Sequence, residues 1–337
     1  MDTVIRNAMN AKEVDVRTLI VAGVAIVLAV AHGFAFAQQI YPSRPIRMLV
    51  GFPPGGTSDI LARTLSARLG TALGQAVVVE NRPGASGNIA AEQLAKAAPD
   101  GYTLIMGTTS LAISQSLYAK LQYDLLRDLA PVTQAANYTN LLVVHPSLPV
   151  TSVQELIALA RAKPGALHFG SAGNGTPPHM TGAMFNSHAN VKIEHIPYKG
   201  GAPAITDLIG GQISIMFDNV PPLFPHVRAG KIRALAVTSL RRIAALPDIP
   251  TLDEAGLKGF DSVGWNGVFA PQGTPREIID RLQTEIAKVL AIPEIREGLI
   301  AQGADPVGNS PEAFGAWVKL EVQKWAKVVR DSGAKID

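Results

Sequence analysis

The chain has 337 residues, enough for two domains at ~150 residues each. With 47% hydrophobic and 17% charged residues it builds a packed core and lies far from the composition of disordered chains. A net charge of +3, from 30 Lys and Arg against 27 Asp and Glu, makes no nucleic-acid stripe, and the lack of cysteine excludes disulfides, thiolate metal sites and cysteine nucleophiles.

Arg6, Lys12 and Arg17 precede an apolar run from Leu19 to Ala31, and Ala35-Phe-Ala37 supplies a small-x-small cleavage site. Basic start, short apolar middle and small exit define a secretory signal peptide over residues 1–37. The run has 13 residues, fewer than the ~20 of a spanning helix. Removing residues 1–37 takes away three basic and three acidic side chains and leaves +3. The mature chain is expected to be an exported monomer in a bacterial periplasm, with no nucleic-acid partner and no ATP- or NAD-dependent chemistry.

From residue 45 short β-branched runs alternate with helical stretches. The expected strands are 46–52, 77–80 and 102–107, with helices 58–69 and 88–98 between them. After a strand at 141–144 the rhythm restarts: helix 153–163, strand 167–171, helix 179–187, strand 192–197, helix 203–210, strand 213–218, helix 222–229 and strand 232–238. Apolar strands alternating with helices predict parallel sheets covered on both faces, one for each unit. Thr274-Pro275-Arg276-Glu277 sets a capping box before a helix with Ile278, Leu282, Ile286 and Val289 on one face. A last helix over 310–330 carries a stripe of Phe314, Trp317, Val318, Val322 and Trp325. The fold class is therefore α/β in two units, with the helical C-terminus returning to the first and a cleft between them.

The strand-to-helix exits are rich in glycine and small hydroxyl residues. Phe52-Pro53-Pro54-Gly55-Gly56-Thr57-Ser58-Asp59 follows the first strand, and Gly107-Thr108-Thr109-Ser110 follows the third. Ser171-Ala172-Gly173-Asn174-Gly175-Thr176 and Tyr198-Lys199-Gly200-Gly201-Ala202 lie in the second unit. In a parallel sheet such exits share one edge, where backbone amides and helix N-termini make an anion cradle. Each is also an ordinary capped turn, with Asp59 and Thr176 as caps. Lys199 is the only cation inside these loops, Phe52, Tyr138 and Tyr198 could wall the cleft, and Asp218 ends a strand as Phe217-Asp218-Asn219. No G-x-S-x-G, G-x-x-x-x-G-K-[ST] or H-E-x-x-H pattern occurs, and the histidines lack ligand spacing. No catalytic residue, metal or cofactor is expected.

From Tyr41-Pro-Ser-Arg-Pro-Ile46 to Phe269-Ala-Pro-Gln-Gly-Thr-Pro275 the chain carries, in order, the blocks Phe52-Pro-Pro-Gly-Gly56, Val79-Glu-Asn-Arg-Pro-Gly-Ala-Ser-Gly-Asn88, Ala98-Pro-Asp-Gly-Tyr-Thr-Leu104, Ser171-Ala-Gly-Asn-Gly-Thr176, Ile196-Pro-Tyr-Lys-Gly-Gly201, Phe217-Asp-Asn219, Arg233-Ala-Leu-Ala-Val-Thr-Ser239 and Leu246-Pro-Asp-Ile-Pro-Thr251. In these it resembles, nearly end to end, the substrate-binding receptors of tripartite tricarboxylate transporters (the Bug or TctC group). The resemblance implies a two-lobe, type II periplasmic-binding-protein fold of Rossmann-like domains that closes on a small mono- or dicarboxylate, without catalysis or cofactor. It implies delivery to a membrane permease of a large and a small subunit. It divides the chain into 38–139 plus 263–337 and 140–262, and places ligand contacts at Phe52 to Gly56, Ser58, Thr108 to Ser110, Ser171 to Thr176, Tyr198 to Gly201 and Asp218. The helix after Ser171 has Ala183 where many members carry an acid. Two rivals stay open: an adaptor presenting ligand to a membrane histidine kinase, and an exported hydrolase using Ser171 and Asp218.

Overall fold

The structure, a computed structural model, describes residues 41–332; the segment 1–37, read from the sequence as a signal peptide, lies outside them. Three short strands, β1 (Ile46–Val50), β2 (Val77–Asn81) and β3 (Thr103–Thr108), pair in parallel in the order β2-β1-β3. Parallel neighbours require crossovers, here supplied by α1 (Thr57–Leu73) and α2 (Asn88–Ala95). Helix α3 (Thr109–Leu117) leaves β3 directly, and the single turn α4 (Leu125–Asp128) leads into the 16-residue strand β4 (Leu129–Val144).

The rhythm then repeats through α5 (Val153–Ala162), β5 (His168–Ser171), α6 (Pro177–Ala189), β6 (Glu194–Pro197), α7 (Gly201–Ile209), β7 (Ile215–Asn219), α8 (Val220–Arg228) and β8 (Arg233–Val237). A second parallel group forms in the order β6-β5-β7. Strand β9 (Val263–Pro271), α9 (Arg276–Ala291), α10 (Pro293–Ala301), β10 (Ala304–Pro306) and α11 (Pro311–Ser332) complete the chain.

Each half is mixed rather than purely parallel. β9 runs antiparallel to β3 and to residues 129–139 of β4, while residues 140–144 of β4 run antiparallel to β7 and pair with β8 on the other edge. One strand thus belongs to both lobes of a ten-stranded sheet. Only residues 141–144 of β4 read as strand in the sequence, because Pro131, Gln134 and Asn137 interrupt the apolar run. Their segment is stabilised from outside: Thr133 Oγ1 donates to the Asn309 carbonyl at 2.7 Å, and Asn309 Oδ1 accepts from the Gln134 amide at 3.0 Å.

Where the chain passes between lobes, five buried polar side chains are tied together. Thr238 Oγ1 accepts from the Asn140 amide at 3.0 Å and donates to the Ser262 carbonyl at 2.6 Å. Asn140 Nδ2 donates to Thr181 Oγ1 at 2.9 Å, which lies 2.7 Å from Ser262 Oγ, and Thr139 Oγ1 is 3.3 Å from Thr238 Oγ1.

The C-terminal helices depart from expectation in detail. The capping box does not form: Thr274 Oγ1 donates to the Pro271 carbonyl at 2.7 Å, and Pro275 stands at the N-cap without a side-chain bond. Ile279, not Ile278, faces the core with Leu282, Ile286 and Val289. On α11 the buried stripe is Phe314, Val318, Trp325 and Val329, whereas Trp317, off that face, is 39% exposed. These side chains share a core with Leu49, Ile105 and Leu111 of the first lobe.

Glu321 fixes α11 to β9. It is 3% exposed, and its Oε2 accepts from Trp265 Nε1 at 3.1 Å and Trp325 Nε1 at 2.9 Å. Glu321→Ala leaves two buried indole donors unpaired and should cost about 2–3 kcal/mol in urea unfolding. Glu321→Gln keeps an acceptor oxygen and should retain most of that stability; equal unfolding midpoints for all three proteins would contradict the assignment.

Candidate ligand-binding cleft

Helix starts from both lobes converge on one inner cleft. The first lobe contributes Phe52, Pro53, Gly56, Thr57 and Ser58 at the start of α1, and Thr108, Thr109 and Ser110 at the start of α3. The second contributes Ala172, Thr176, Pro177 and Pro178 before and within α6, Gly201 and Ala202 of α7, and Asp218 and Asn219 at the end of β7. Tyr138 of β4 and Gly264, Trp265 and Asn266 of β9 form the floor between them. The first amides of a helix have no intrahelical partner, so such starts offer donors and positive potential to an anion. Among the described residues no Lys, Arg or His lines this cleft, and Asp218 is the only acid that does.

The first loop owes its shape to Asp59, which is 3% exposed. Its carboxylate accepts from the Gly55 amide at 3.0 Å, from Arg63 Nε at 3.0 Å and from Asn81 Nδ2 at 2.9 Å, and Asn81 Nδ2 also reaches the Phe52 carbonyl at 2.9 Å. Burial would raise the Asp59 pKa, but Arg63, the Gly55 amide and Asn81 together hold it below the usual carboxylate range. Asp59 is thus a clamp on the loop rather than the cap of α1; the N-cap is Gly56, with no side-chain bond. Thr176 is the N-cap of α6, but its hydroxyl donates to the Gly173 carbonyl at 2.7 Å instead of capping the helix.

The hydroxyls on the first-lobe side are largely tied, two of them to the floor. Asn266 Nδ2 donates to Ser58 Oγ at 3.1 Å, the Trp265 amide to Thr109 Oγ1 at 2.8 Å, and the Ser110 amide to Thr108 Oγ1 at 3.2 Å. Three buried side-chain atoms in the cleft have no partner: Ser110 Oγ, Asp218 Oδ2 and Asn219 Oδ1. Burial pushes the Asp218 carboxyl up to about 7, against a 2.8 Å bond from the Asn219 amide to Oδ1. Burial also raises the Tyr138 phenol, which stays a proton donor at every physiological pH.

The lobes touch at the rim of this cleft. Asn219 Nδ2 donates to Thr57 Oγ1 at 3.1 Å, and Ser86 Oγ donates to the Asn174 carbonyl from a turn in which both Ala85 and Ser86 have positive φ. Gly200, at φ +126°, sits so close to the first lobe that a side chain there would lie 2.9 Å from Pro53 Cδ.

The structure sorts the sequence-predicted residues into three groups. Phe52, Pro53, Gly56, Ser58, Thr108, Thr109, Ser110, Tyr138, Ala172, Thr176, Gly201 and Asp218 line the inner cleft. Gly173, Asn174, Tyr198, Lys199 and Gly200 instead line an outer cleft that shares Phe52, Pro53 and Ala172 with the inner one; Lys199 is exposed there, and Tyr198 Oη donates to Asp207 at 2.8 Å. Pro54, Gly55, Ser171 and Gly175 line neither, nor does Ala183. Sequence reasoning missed Asn219, Gly264, Trp265 and Asn266; an Asn after Asp218 and another inside an apolar strand were the available signals.

Ser171 is fully buried, with Oγ 2.7 Å from His195 Nε2 and accepting from the Gly173 amide at 3.1 Å. His195 stacks on His179 at 4.1 Å, and burial lowers their pKa values to about 3 and about 4, so both rings are neutral. The pair braces the Gly173–Gly175 turn, where the Gly175 amide donates to His179 Nδ1 at 3.1 Å. No hydrogen bond joins Ser171 or His195 to Asp218. Among the described residues no three His, Asp or Glu side chains gather as a metal site.

Two α/β lobes sharing a central strand around a cleft of helix starts are the architecture of periplasmic binding proteins. The family profile described as tripartite tricarboxylate transporter family receptor matches residues 61–334, and the chain belongs to that family. It is 40% identical to the protein BugT of Bordetella pertussis over 95% of this chain and 99% of that protein. Among solved structures it is similar to R. palustris Rpa4515 with adipate, at 41% identity and TM-score 0.86 over 88% of this chain and 100% of that one. It is also similar to MatC from Rhodopseudomonas palustris with bound malate, at 32% identity and TM-score 0.82 over 86% of this chain and 100% of that one.

Asp59→Ala removes the clamp on the first loop and should lower stability by about 2 kcal/mol at neutral pH in chemical denaturation. A carboxylate with a lowered folded pKa stabilises above the unfolded value, and that contribution is lost as pH falls through the folded one. The gap between wild type and variant should therefore close below the usual carboxylate range. A gap that persists unchanged in acid would show that Asp59 acts without its charge.

Proposed function

We propose that this chain is a periplasmic solute receptor that captures a small mono- or dicarboxylate by closure of its lobes and delivers it to a tripartite tricarboxylate-type permease in the membrane. The observation that carries this reading is the inner cleft itself, where helix starts of both lobes and three unpartnered buried polar atoms surround one space without a cationic side chain. Backbone amides neutralise a carboxylate without a fixed counter-charge, so release remains easy. The adipate and malate held by the two related structures support the same ligand class.

The moving bodies are residues 38–139 with 263–337 and residues 140–262, hinged on the buried cluster of Thr139, Asn140, Thr181, Thr238 and Ser262. Ligand bridges the starts of α1 and α3 on one side and of α6 and α7 on the other, shifting the population toward closed. Phe52 and Tyr138 are its apolar walls. The chain acts without turnover: Ser171, paired with the His195 imidazole, is sealed from the cleft, and Ser147, paired with His145, lies in an exposed turn outside it.

A thermal-shift series on the mature chain tests the reading with acetate, malate, adipate and benzoate, and with amines and neutral sugars as controls. At a hundredfold excess over Kd a genuine ligand stabilises by about 2.7 kcal/mol, so the matching acid should raise Tm while amines and sugars do not. A best response from a sugar, or none from any acid, overturns it.

A further inference from the structure

The two sides of the inner cleft are unequal as anion binders. On the first lobe the starts of α1 and α3 carry no proline, although the Ser110 amide of α3 is already taken by Thr108 Oγ1. On the second, Pro177 and Pro178 open α6, Pro203 falls in the first turn of α7, and Pro221 and Pro222 open α8, which removes donor after donor. At the start of α7, where Gly201 and Ala202 precede Pro203, the protein has placed its own carboxyl: Asp218 Oδ2 would lie 2.3 Å from a side-chain carbon at Gly201. Asp218 is 3% exposed, and Oδ2 has no partner. Two carboxylates in a buried space without a cation would repel each other.

We infer that Asp218 meets the bound ligand as a neutral acid, keeping its proton and donating a hydrogen bond through it to a ligand carboxylate oxygen, so that above neutral pH the protein takes up one proton from solvent with each carboxylate it captures. This rests on the carboxylate-receptor reading and adds a rule of specificity: the second lobe grips the ligand through a donor at Asp218, which favours an oxygen acceptor over an ammonium group there. The neighbourhood supports it. Ionisable groups on the elements packed against β7 are Tyr138 of β4, His168 of β5, His179 and His188 of α6, Asp207 of α7, and His226 and Arg228 of α8. None shifts Asp218; burial raises its pKa, opposed only by the Asn219 amide. With the first-lobe amides facing the ligand's negative end, the shared proton supplies what the proline-rich starts of the second lobe do not.

Isothermal titration of the mature chain with adipate, malate and benzoate, at pH 6, 7, 8 and 9 in buffers of different ionisation enthalpy, decides it. The expected result is uptake of about one proton at pH 8 and above, with Kd nearly flat up to neutrality and weakening roughly tenfold per unit beyond it. Asp218→Asn, which cannot titrate, should flatten that profile. A Kd constant from pH 7 to 9 with no proton uptake overturns the inference while leaving the receptor reading intact. Binding that tightens as pH rises overturns it, because the complex then holds fewer protons than the free protein and acid. No heat from any of the three acids at any pH, in either protein, counts against the carboxylate reading and takes this inference with it.

Discussion

One strand, β4, is a member of both halves of the sheet, and the arrangement of the cleft follows from that. Its residues 129–139 lie beside β9 and its residues 140–144 beside β7, so the two parallel groups cannot be placed independently. Sharing the strand turns the exits of β1, β3, β5 and β7 toward one another. Tyr138 sits where the strand changes partners, which makes the crossing point the floor of the cleft. The cluster from Thr139 to Ser262 fastens the same place with hydrogen bonds, beside Met180 of α6, which packs into the core of the first lobe.

The electrostatics follow from the backbone. With Lys199 displaced to the outer cleft, positive potential in the inner one comes from helix starts and neutral donors. Such a site discriminates by geometry and by the number of donors, because a cation would hold any anion. The second lobe complicates the symmetry implied by four similar loops. Its prolines are compatible with N-terminal helix positions and are harmless to the fold, yet each removes an amide from the cleft. Asp218 then stands where a further anion contact would otherwise be.

Much of this was legible in the sequence, for identifiable reasons. Glycine and hydroxyl residues at strand exits pointed to the region of the cleft, and most of them line its inner or outer part, while Gly55, Ser171 and Gly175 line neither. The fold class and the family were readable from ordered sequence blocks. The first twelve residues of β4 and all of β9 were not, because their polar and glycine positions are satisfied by partners distant in the chain: Gln134 by Asn309, Gly267 by the ring of Phe314, whose nearest atom would lie 2.1 Å from an added side-chain carbon. The outward turn of Trp317 was hidden by a stripe read one position too wide. The split between inner and outer clefts depends on how the lobes meet, for example where Gly200 approaches Pro53, and no local pattern encodes it.

The central claim is that the convergent helix starts hold one carboxylate, and a crystal structure of the mature chain with adipate tests it most directly. The account predicts a carboxylate at roughly 2.7–3.2 Å from first-turn amides of α1 and α3, with Asp218 Oδ2 at hydrogen-bonding distance across the cleft. Adipate held instead at Lys199 in the outer cleft, with the inner one filled by the protein's own side chains, would contradict it.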